Sequence, residues 1–458
     1  VSASRVAVEL SDAGILVAAP EQVDPQAHPP VDERSESAGS GSPGFALLEG
    51  KRIVSGVAAV RRARLDPRRV STRFWAELDT EPLGRPFPPE LSHADLAHAH
   101  LEHVWRGSAP GRAATRETEA ILVVPGTFDE RQLGLVLALA RACGIPVRGL
   151  VDAALAASAG SGRAGQLLHV DVQLHRAVVT ELRQETRLQR RRVEVSARAG
   201  LVALHDVWAK HVAATFVQRT RFDPLHVAPT EQLLYDRLAE LLVRLADTEN
   251  TTLTLESAAG HVHEVHVSAD ALAAAAAVPY AAVAELVGLC KRAGEPALLL
   301  LSARAAGLPG LPARLAEIGG VELVELRPDA ALAGALAHRA AIVQPGDPSA
   351  LPFVTTLPVQ VDAAARPAAR TAAWTSAGRA KPGAPAPTHV LYDGTAHPFG
   401  AAPLVLGAGE PTAGRFLQLS GNTAGISRRH CTLAACDGRS RVEDHSSYGT
   451  FLNGQRVD

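Results

Sequence analysis

The sequence predicts an α/β protein built from two similar halves and followed by a small all-β module. Three observations carry that expectation. Residues 121–158, ILVVPGTFDERQLGLVLALARACGIPVRGLVDAALAAS, spell strand, helix, strand, helix, the alternation of α/β packing. Apolar hairpins around an acidic residue open both halves, RVAVELSDAGILVA at 5–18 and LLHVDVQLHRAVVTEL at 167–182. From residue 344 to 387 Pro and Ala dominate, and short strand-like runs resume only from His389. A chain of 458 residues is in any case too long for one ordinary core.

Each element follows from local signals. Residues 5–18 place two apolar runs around a Ser-Asp-Ala-Gly turn, and the Pro-, Ser- and Gly-rich stretch 20–43 reads as flexible. Residues 92–105 have helical spacing, with Leu96, Leu101 and Val104 on related faces. Within 121–158 a buried strand stops at Pro125-Gly126, and Thr127 or Asp129 caps a helix that Gly144 closes. A strand at 147–151 and a helix from Ala153 to Ser158 repeat the pair.

In the second half, LQRRRVEVSA at 188–197 extends the opening meander, and 202–217 and 230–246 are helical. HVHEVHVSADALAAA is a strand followed by a helix capped by Ser268. EPALLLLSARAAGLPGLPARLAEIGG reads as a strand, a Gly- and Pro-bearing loop and a helix from about Leu311. VELVELRPDAALAGALAHRAA is again strand then helix. Residues 344–387 read as a partly ordered linker with a short apolar island at 353–359.

Bulk composition excludes several classes. Lys and Arg number 46 against 48 Asp and Glu, a formal charge of −2, so neither nucleic acid nor an anionic membrane is an expected partner. Aromatics are only 4%, which makes the cores aliphatic. Cys143, Cys290, Cys431 and Cys436 are scattered, and CTLAAC lacks the companion ligands of a zinc site, so no metal is expected and a reduced, cytoplasmic protein is. The first twenty residues carry Glu9 and Asp12, unlike a signal peptide. The Ala-rich run from Asp270 carries Glu285 and ends at Lys291, too polar for a membrane span.

The α/β grammar resembles the nucleotide-binding domain of the Hsp70 heat-shock proteins, in the actin-like ATPase superfamily. LVVPGTFDERQLGLVLALARACGIPVRGLVDAALAAS carries most of the likeness. RPDAALAGALAH resembles the family's closing helix, and FALLEGKRIVSGVAAVRRARLDPRRV its lysine-bearing segment. The resemblance implies a two-lobed domain over 1–343, with lobes at about 1–160 and 165–343, and ATP with magnesium as the candidate cofactor.

Under the resemblance three loops would hold the nucleotide. A triphosphate needs small residues and free backbone N–H groups around its oxygens, and carboxylates that hold magnesium and orient water. The first loop is Glu9, Leu10, Ser11, Asp12, Ala13 and Gly14, where the family has Asp, Gly, then Thr or Ser. The second keeps Asp171 but continues with Leu174, His175 and Arg176 instead of glycines. The third keeps Gly307 but has Ser302, Ala303 and Arg304 in place of a glycine pair. Glu9, Asp152 and Asp171 are the catalytic candidates, and Ser11, Asp12, Gly14, Asp171, Ser302 and Gly307 the nucleotide-binding ones. Cβ atoms where phosphates should lie argue against turnover.

The end of the chain resembles a forkhead-associated (FHA) domain, a β-sandwich that reads phosphothreonine. LVLGAG, ISRRHCTL and DHSSYGTFLNG carry the likeness, which spans 388–458, and the family's sandwich continues for further strands beyond Asp458. It implies Ser427, Arg428, Ser447 and Asn453 as phosphopeptide-binding residues, with Gly454 in a structural turn. Two departures stand out: Ala408 replaces the family's phosphate-clamping arginine and Tyr448 its peptide-holding asparagine. Arg415 is the candidate to fold back in compensation.

Other signals have plainer readings. His261 and His263 share one strand face with His266 on the other, a solvated strand without the HExxH spacing. Arg187 to Val195 reads as a solvated hairpin, and Ser302 as structural. The sequence thus points to a non-catalytic signalling or assembly protein that recruits a protein partner through phosphothreonine or a phosphate-independent surface. The alternative is an ATP-binding conformational switch or weak ATPase.

Overall fold

Branched aliphatic runs become strands throughout. The computed structural model describes residues 5–20, 41–115, 117–257, 259–343, 351–359, 389–392, 395–399, 402–409, 415–419, 426–436, 439–447, 449–452 and 455–457. The chain divides into two units, Val1–Arg366 and Pro367–Asp458.

In the first unit, β1 (Arg5–Ser11) and β2 (Gly14–Ala18) form the expected hairpin, joined by β3 (Ser42–Pro43). A small antiparallel insert follows, β4 (Ala46–Glu49), β5 (Arg52–Ser55) and β6 (Val70–Ser71), with Lys51 exposed at the β4–β5 turn. The chain then returns as β7 (Glu119–Val124) and β8 (Val147–Asp152), each parallel to its neighbour.

The second half repeats this plan. A meander of β9 (Gly165–Val172), β10 (Ala177–Gln184) and β11 (Arg187–Ser196) is followed by an inserted hairpin of β12 (Asn250–Glu256) and β13 (Val262–Ser268). Then come the parallel strands β14 (Ala297–Leu301) and β15 (Val321–Glu325). The hydrogen-bonded orders are β8-β7-β1-β2-β3 and β15-β14-β9-β10-β11, so both sheets use one strand order.

The helices start where side chains satisfy their first N–H groups. Ser92 with Asp95, and Asp129 with Gln132, form capping boxes on His93–Gly107 and Glu130–Ala142. Asp152 and Ser268 cap Ala153–Ser158 and Ala269–Ala275. Gly144, at φ 73°, takes the left-handed turn after Glu130–Ala142. The loop expected after β14 starts instead with a helical turn, Ala303–Ala306, capped by the Ser302 hydroxyl.

Strand alternation sets the layers, because successive side chains face opposite sides of a sheet. Val6, Val8, Leu10, Leu122 and Val124 point into a core with Trp75, Leu96, Leu101 and Val136. Leu168, Val170, Val172 and Leu299 point into a second core built on Trp208, Phe216, Leu238 and Val283. The intervening residues Ala7, Ile121, Val123, Leu167, Leu182 and Leu300 meet in a third, shared layer with Leu155 and Leu332. There the helices Ala153–Ser158 and Ala330–Ala337 pack so closely that a Cβ at Gly334 would sit 1.9 Å from the Ala156 carbonyl oxygen.

The linker expectation needs correction at 351–359. β16 (Phe353–Val354) pairs parallel with β8, β17 (Thr356–Pro358) pairs antiparallel with β11, and the Arg190 N–H reaches the Thr355 carbonyl at 3.0 Å. Leu357 is fully buried in the shared layer. This short segment therefore stitches both sheets, because its apolar side chains find cores that the local composition does not reveal. The remainder of the expected linker lies outside the described residues.

Among the described residues no single helix is long and apolar enough to cross a membrane. The apolar pair Ala269–Ala275 and Ala277–Cys290 is bent by 72° and contributes Leu272, Tyr280, Val283 and Val287 to a core.

The second unit is all-β in its described residues. β18 (His389–Tyr392) and β19 (Thr395–Pro398) form a hairpin. β20 (Leu404–Gly407), β21 (Arg415–Gln418), β22 (Cys431–Cys436) and β23 (Arg439–Asp444) form a sheet in the order β21-β20-β22-β23. β24 (Phe451–Leu452) pairs with β25 (Gln455–Arg456), and Phe399, Leu404 and Leu417 form the core.

Candidate functional site

The ends of β1 and β9 meet in a cleft of the first unit. Both run into two-residue turns, Asp12-Ala13 closed by Ser11 and Gly14, and Leu174-His175 closed by the Gln173 N–H to the Arg176 carbonyl at 2.8 Å. Glu9 and Asp171 each stand two residues before their turn's closing residue, which puts both acids in corresponding places facing the cleft.

The first turn grips the second. The Asp12 carboxylate, with no exposed surface, accepts the N–H groups of Leu174 at 2.9 Å and His175 at 3.1 Å. Burial pushes its carboxyl up, and those two N–H groups together with Arg176 and His175 pull the other way. The His175 ring reaches the Thr72 carbonyl and hydroxyl, each at 3.0 Å. The backbone donors that a phosphate would need at this turn are thus taken by a carboxylate of the same chain.

Arg304, at the start of the helical turn after β14, fills the centre. Its Nε and Nη2 donate to Asp171 at 3.1 and 2.9 Å, and its guanidinium lies 3.6 Å from Glu9. Ser302 adds an O–H bond to Asp171 at 2.6 Å. Burial alone would raise the Asp171 carboxyl, but Arg304 and Ser302 outweigh it and hold it at about 2. At Glu9 burial, with the neighbouring Asp171, outweighs the pull of Arg304 and lifts the carboxyl above the ordinary range. Arg304 is held more firmly protonated than usual because the two acids outweigh its own desolvation. What remains is a cavity of about 150 Å³.

The other expected cleft residues have local jobs. Ser11 lines the cavity, and its hydroxyl reaches only the Gly14 carbonyl, at 3.5 Å. Gly14 is required by the approach of β3, since a Cβ there would sit 2.2 Å from the Ser42 oxygen. Asp152 caps a helix by accepting the Leu155 N–H at 2.8 Å and binds Arg190 at 2.7 Å, away from the cavity lining. Gly307 ends the turn Ala303–Ala306 and is likewise not a lining residue. Leu174 is buried and Arg176 turns to Gln173 at 3.1 Å, so neither puts its bulk into the cavity as expected; Arg304 lines it instead.

Three contributions escaped the sequence reading. Arg304 was visible only as a bulky letter in a glycine position. Arg190, expected in a solvated hairpin, points inward to Asp152. Away from the cavity lining, Arg64 lies 3.6 Å over the Tyr235 ring and binds Asp206 at 2.8 Å, and its backbone N–H reaches Gln232 at 2.8 Å. In the histidine strand His261 and His266 are exposed as expected, whereas His263 is half-buried and stacks on Phe222 at 4.5 Å.

In the second unit, loops converge beside β20. The Ser427 hydroxyl accepts the Ser447 N–H at 3.0 Å, and the Ser427 N–H donates to His430 Nδ1 at 3.1 Å. The N–H groups of Ala408 and Gly409 donate to the carbonyls of Ser427 and Arg428 at 3.1 and 3.0 Å. A Cβ at Gly407 would lie 2.0 Å from the Arg428 oxygen, so this crossing demands glycine. Arg428 and Arg429 are exposed. Asp444 accepts from the Thr450 hydroxyl at 2.6 Å and the Ser446 N–H at 2.9 Å, which hold its carboxyl well below the usual range. Arg415 donates to the Pro398 carbonyl rather than folding toward Ser427. Tyr448, Asn453 and Gly454 lie outside the described residues.

The family model of the FHA domain matches residues 414–458. No curated protein matches the chain. The C-terminal segment is thus an FHA domain, a protein-interaction module, on a mixed α/β protein.

Proposed function

We propose that this chain is a non-catalytic signalling or assembly protein. In this reading the first unit is a two-lobed scaffold of the actin and Hsp70 type that has lost its nucleotide, and the FHA domain recruits a partner bearing phosphothreonine. The shared strand order of the two sheets supports the scaffold assignment. One observation carries the loss of nucleotide: Asp12 and Arg304 occupy the donors and the space that phosphates need. A cavity of about 150 Å³ also falls below the ~300 Å³ at which ligand pockets of ordinary size begin. The free thiols of Cys143, Cys290 and Cys431 support a cytoplasmic setting.

Calorimetric titration with ATP and magnesium tests the scaffold reading. No heat at millimolar nucleotide is expected, and a saturable isotherm would refute it. For the FHA domain, Ser427, Arg428 and Ser447 support phosphate contact, while Ala408 removes a charged partner worth about 1.5–3 kcal/mol. Affinity should therefore be one to two decades below that of a domain retaining the arginine. Equal binding of a phosphothreonine peptide and its unmodified twin would eliminate phosphate reading.

A further inference from the structure

We infer that the small three-stranded insert of the first unit carries a docking surface for an acidic protein segment. Residues 51–73 hold eight basic residues against the single acid Asp66, a charge of +7 in a chain whose formal charge is −2, which leaves −9 for the rest. Two of the eight are taken by neighbours, Arg64 by Asp206 and Glu231 and Arg73 by Glu77. The other six gather at one end of the insert. Glu49 pairs with Arg52 across the β4–β5 ladder, next to the turn that holds Lys51. On the other side of β4 the Leu47–Val70 pair brings Arg68 and Arg69 to the same end, in the turn Pro67–Arg69 that leads into β6. Arg62 reaches this end as well, donating to Glu49 and, at 2.7 Å, to Asp66. Arg61 is its neighbour at the close of the helical turn Val57–Val60.

The charges there do not cancel, since six cations stand against three acids. Arg62 holds Glu49 and Asp66. Burial lifts the third carboxyl, Asp236 on the helix Ala228–Asp247, and Gln232 and Arg61 pull it back down. Lys51, Arg52, Arg68 and Arg69 are exposed and pair with no acid among the described residues. A Cβ at Gly50 would meet nothing within 4 Å, so the β4–β5 turn is open to a partner. Guanidinium forks grip carboxylates at two points, which suits a run of Asp and Glu side chains. Nucleic acid fits less well: residues 51–73 contain no aromatic ring on which bases would stack, and the acidic remainder of the chain repels a longer polyanion. An anionic membrane needs a broad apolar face, and Leu65 is the one large exposed apolar side chain of this stretch among the described residues.

This surface depends on neither the loss of nucleotide nor the reading of phosphothreonine. Fluorescence anisotropy of the full chain with a labelled peptide of Asp-Glu-Leu repeats tests it, alongside an Asn-Gln-Leu repeat, a single-stranded RNA and phosphatidylserine vesicles. Saturable binding of the acidic peptide is expected, weakened by salt and tighter than that of the other three. Arg68→Glu combined with Arg69→Glu should weaken it about tenfold, and so should Lys51→Glu with Arg52→Glu, because each reversal removes an exposed pair and adds a repulsion. Arg191→Glu, the same change on an exposed arginine outside the patch, should leave the affinity within about twofold. No saturable binding, an equal response to the Asn-Gln-Leu peptide, equal or tighter binding of RNA or vesicles, or an equal loss in Arg191→Glu overturns the docking surface.

Discussion

Removing the Arg304 guanidinium is the sharpest perturbation of the cleft. Arg304→Ala leaves Asp171 and Glu9 buried side by side, at 8% and 10% side-chain exposure, without a counter-charge. Breaking a buried pair from one side costs about 3–5 kcal/mol. Arg304 itself keeps 31% of its side-chain surface, so water already reaches the guanidinium and the lower end applies. Titration gives a second route. Asp171 is held at about 2 against an ordinary 3.8, a displacement worth about 2 kcal/mol. The two routes agree on a loss of about 2–3 kcal/mol at neutral pH.

The sign with pH follows from the same depression. A carboxyl whose folded value lies below its unfolded one contributes fully above about pH 4 and loses that contribution as pH falls through about 2. In Arg304→Ala burial wins, both acids move up, and the variant regains stability relative to the parent as pH drops below neutral. Urea unfolding followed by tryptophan fluorescence reads this directly, since Trp75, Trp105 and Trp208 are buried in the first unit. The midpoint should fall at neutral pH with unchanged slope. An unchanged midpoint, or parallel pH profiles for parent and variant, would refute the account of the cleft.

Asp12→Ala strips the partner from one buried and one partly buried N–H group, at a cost of about 1–3 kcal/mol, and amide exchange at Leu174 and His175 should accelerate. Unchanged protection there would argue that the turns hold together without it. Gly334→Ala drives a Cβ to within 1.9 Å of the Ala156 oxygen and should cost about 1–3 kcal/mol by overpacking, read as a lower urea midpoint. A wild-type midpoint would show that the helices Ala153–Ser158 and Ala330–Ala337 do not pack this closely. In the FHA domain, Arg428→Ala should weaken phosphothreonine-peptide binding by about 1.5–3 kcal/mol in calorimetry and leave binding of the plain peptide unchanged. Loss of both equally would assign Arg428 a structural role.

Much of the local structure was legible because its causes are local. Asp129 three residues before Gln132, Gly144 after an apolar periodic run, and Ser268 before an alanine-rich stretch each act on their own neighbours. The hairpin at 5–18 and the serine-arginine and glycine-bearing turns of the FHA segment read out for the same reason. β12 was missed although its partner β13 was seen: its threonines and one-sided burial give a weak pattern until the hairpin forms.

The sequence by itself determined the alternation of strands and helices and the recognition module, since spacing and capping operate within a few residues. Only the tertiary structure decided the fate of the charges. Arg304 lies 133 residues from Asp171, and Asp12 lies 162 from Leu174. Which acid receives which base depends on sheet register and on how the turns of β1–β2 and β9–β10 meet. Local composition carries no information about that meeting, and it is this meeting that fills the cleft.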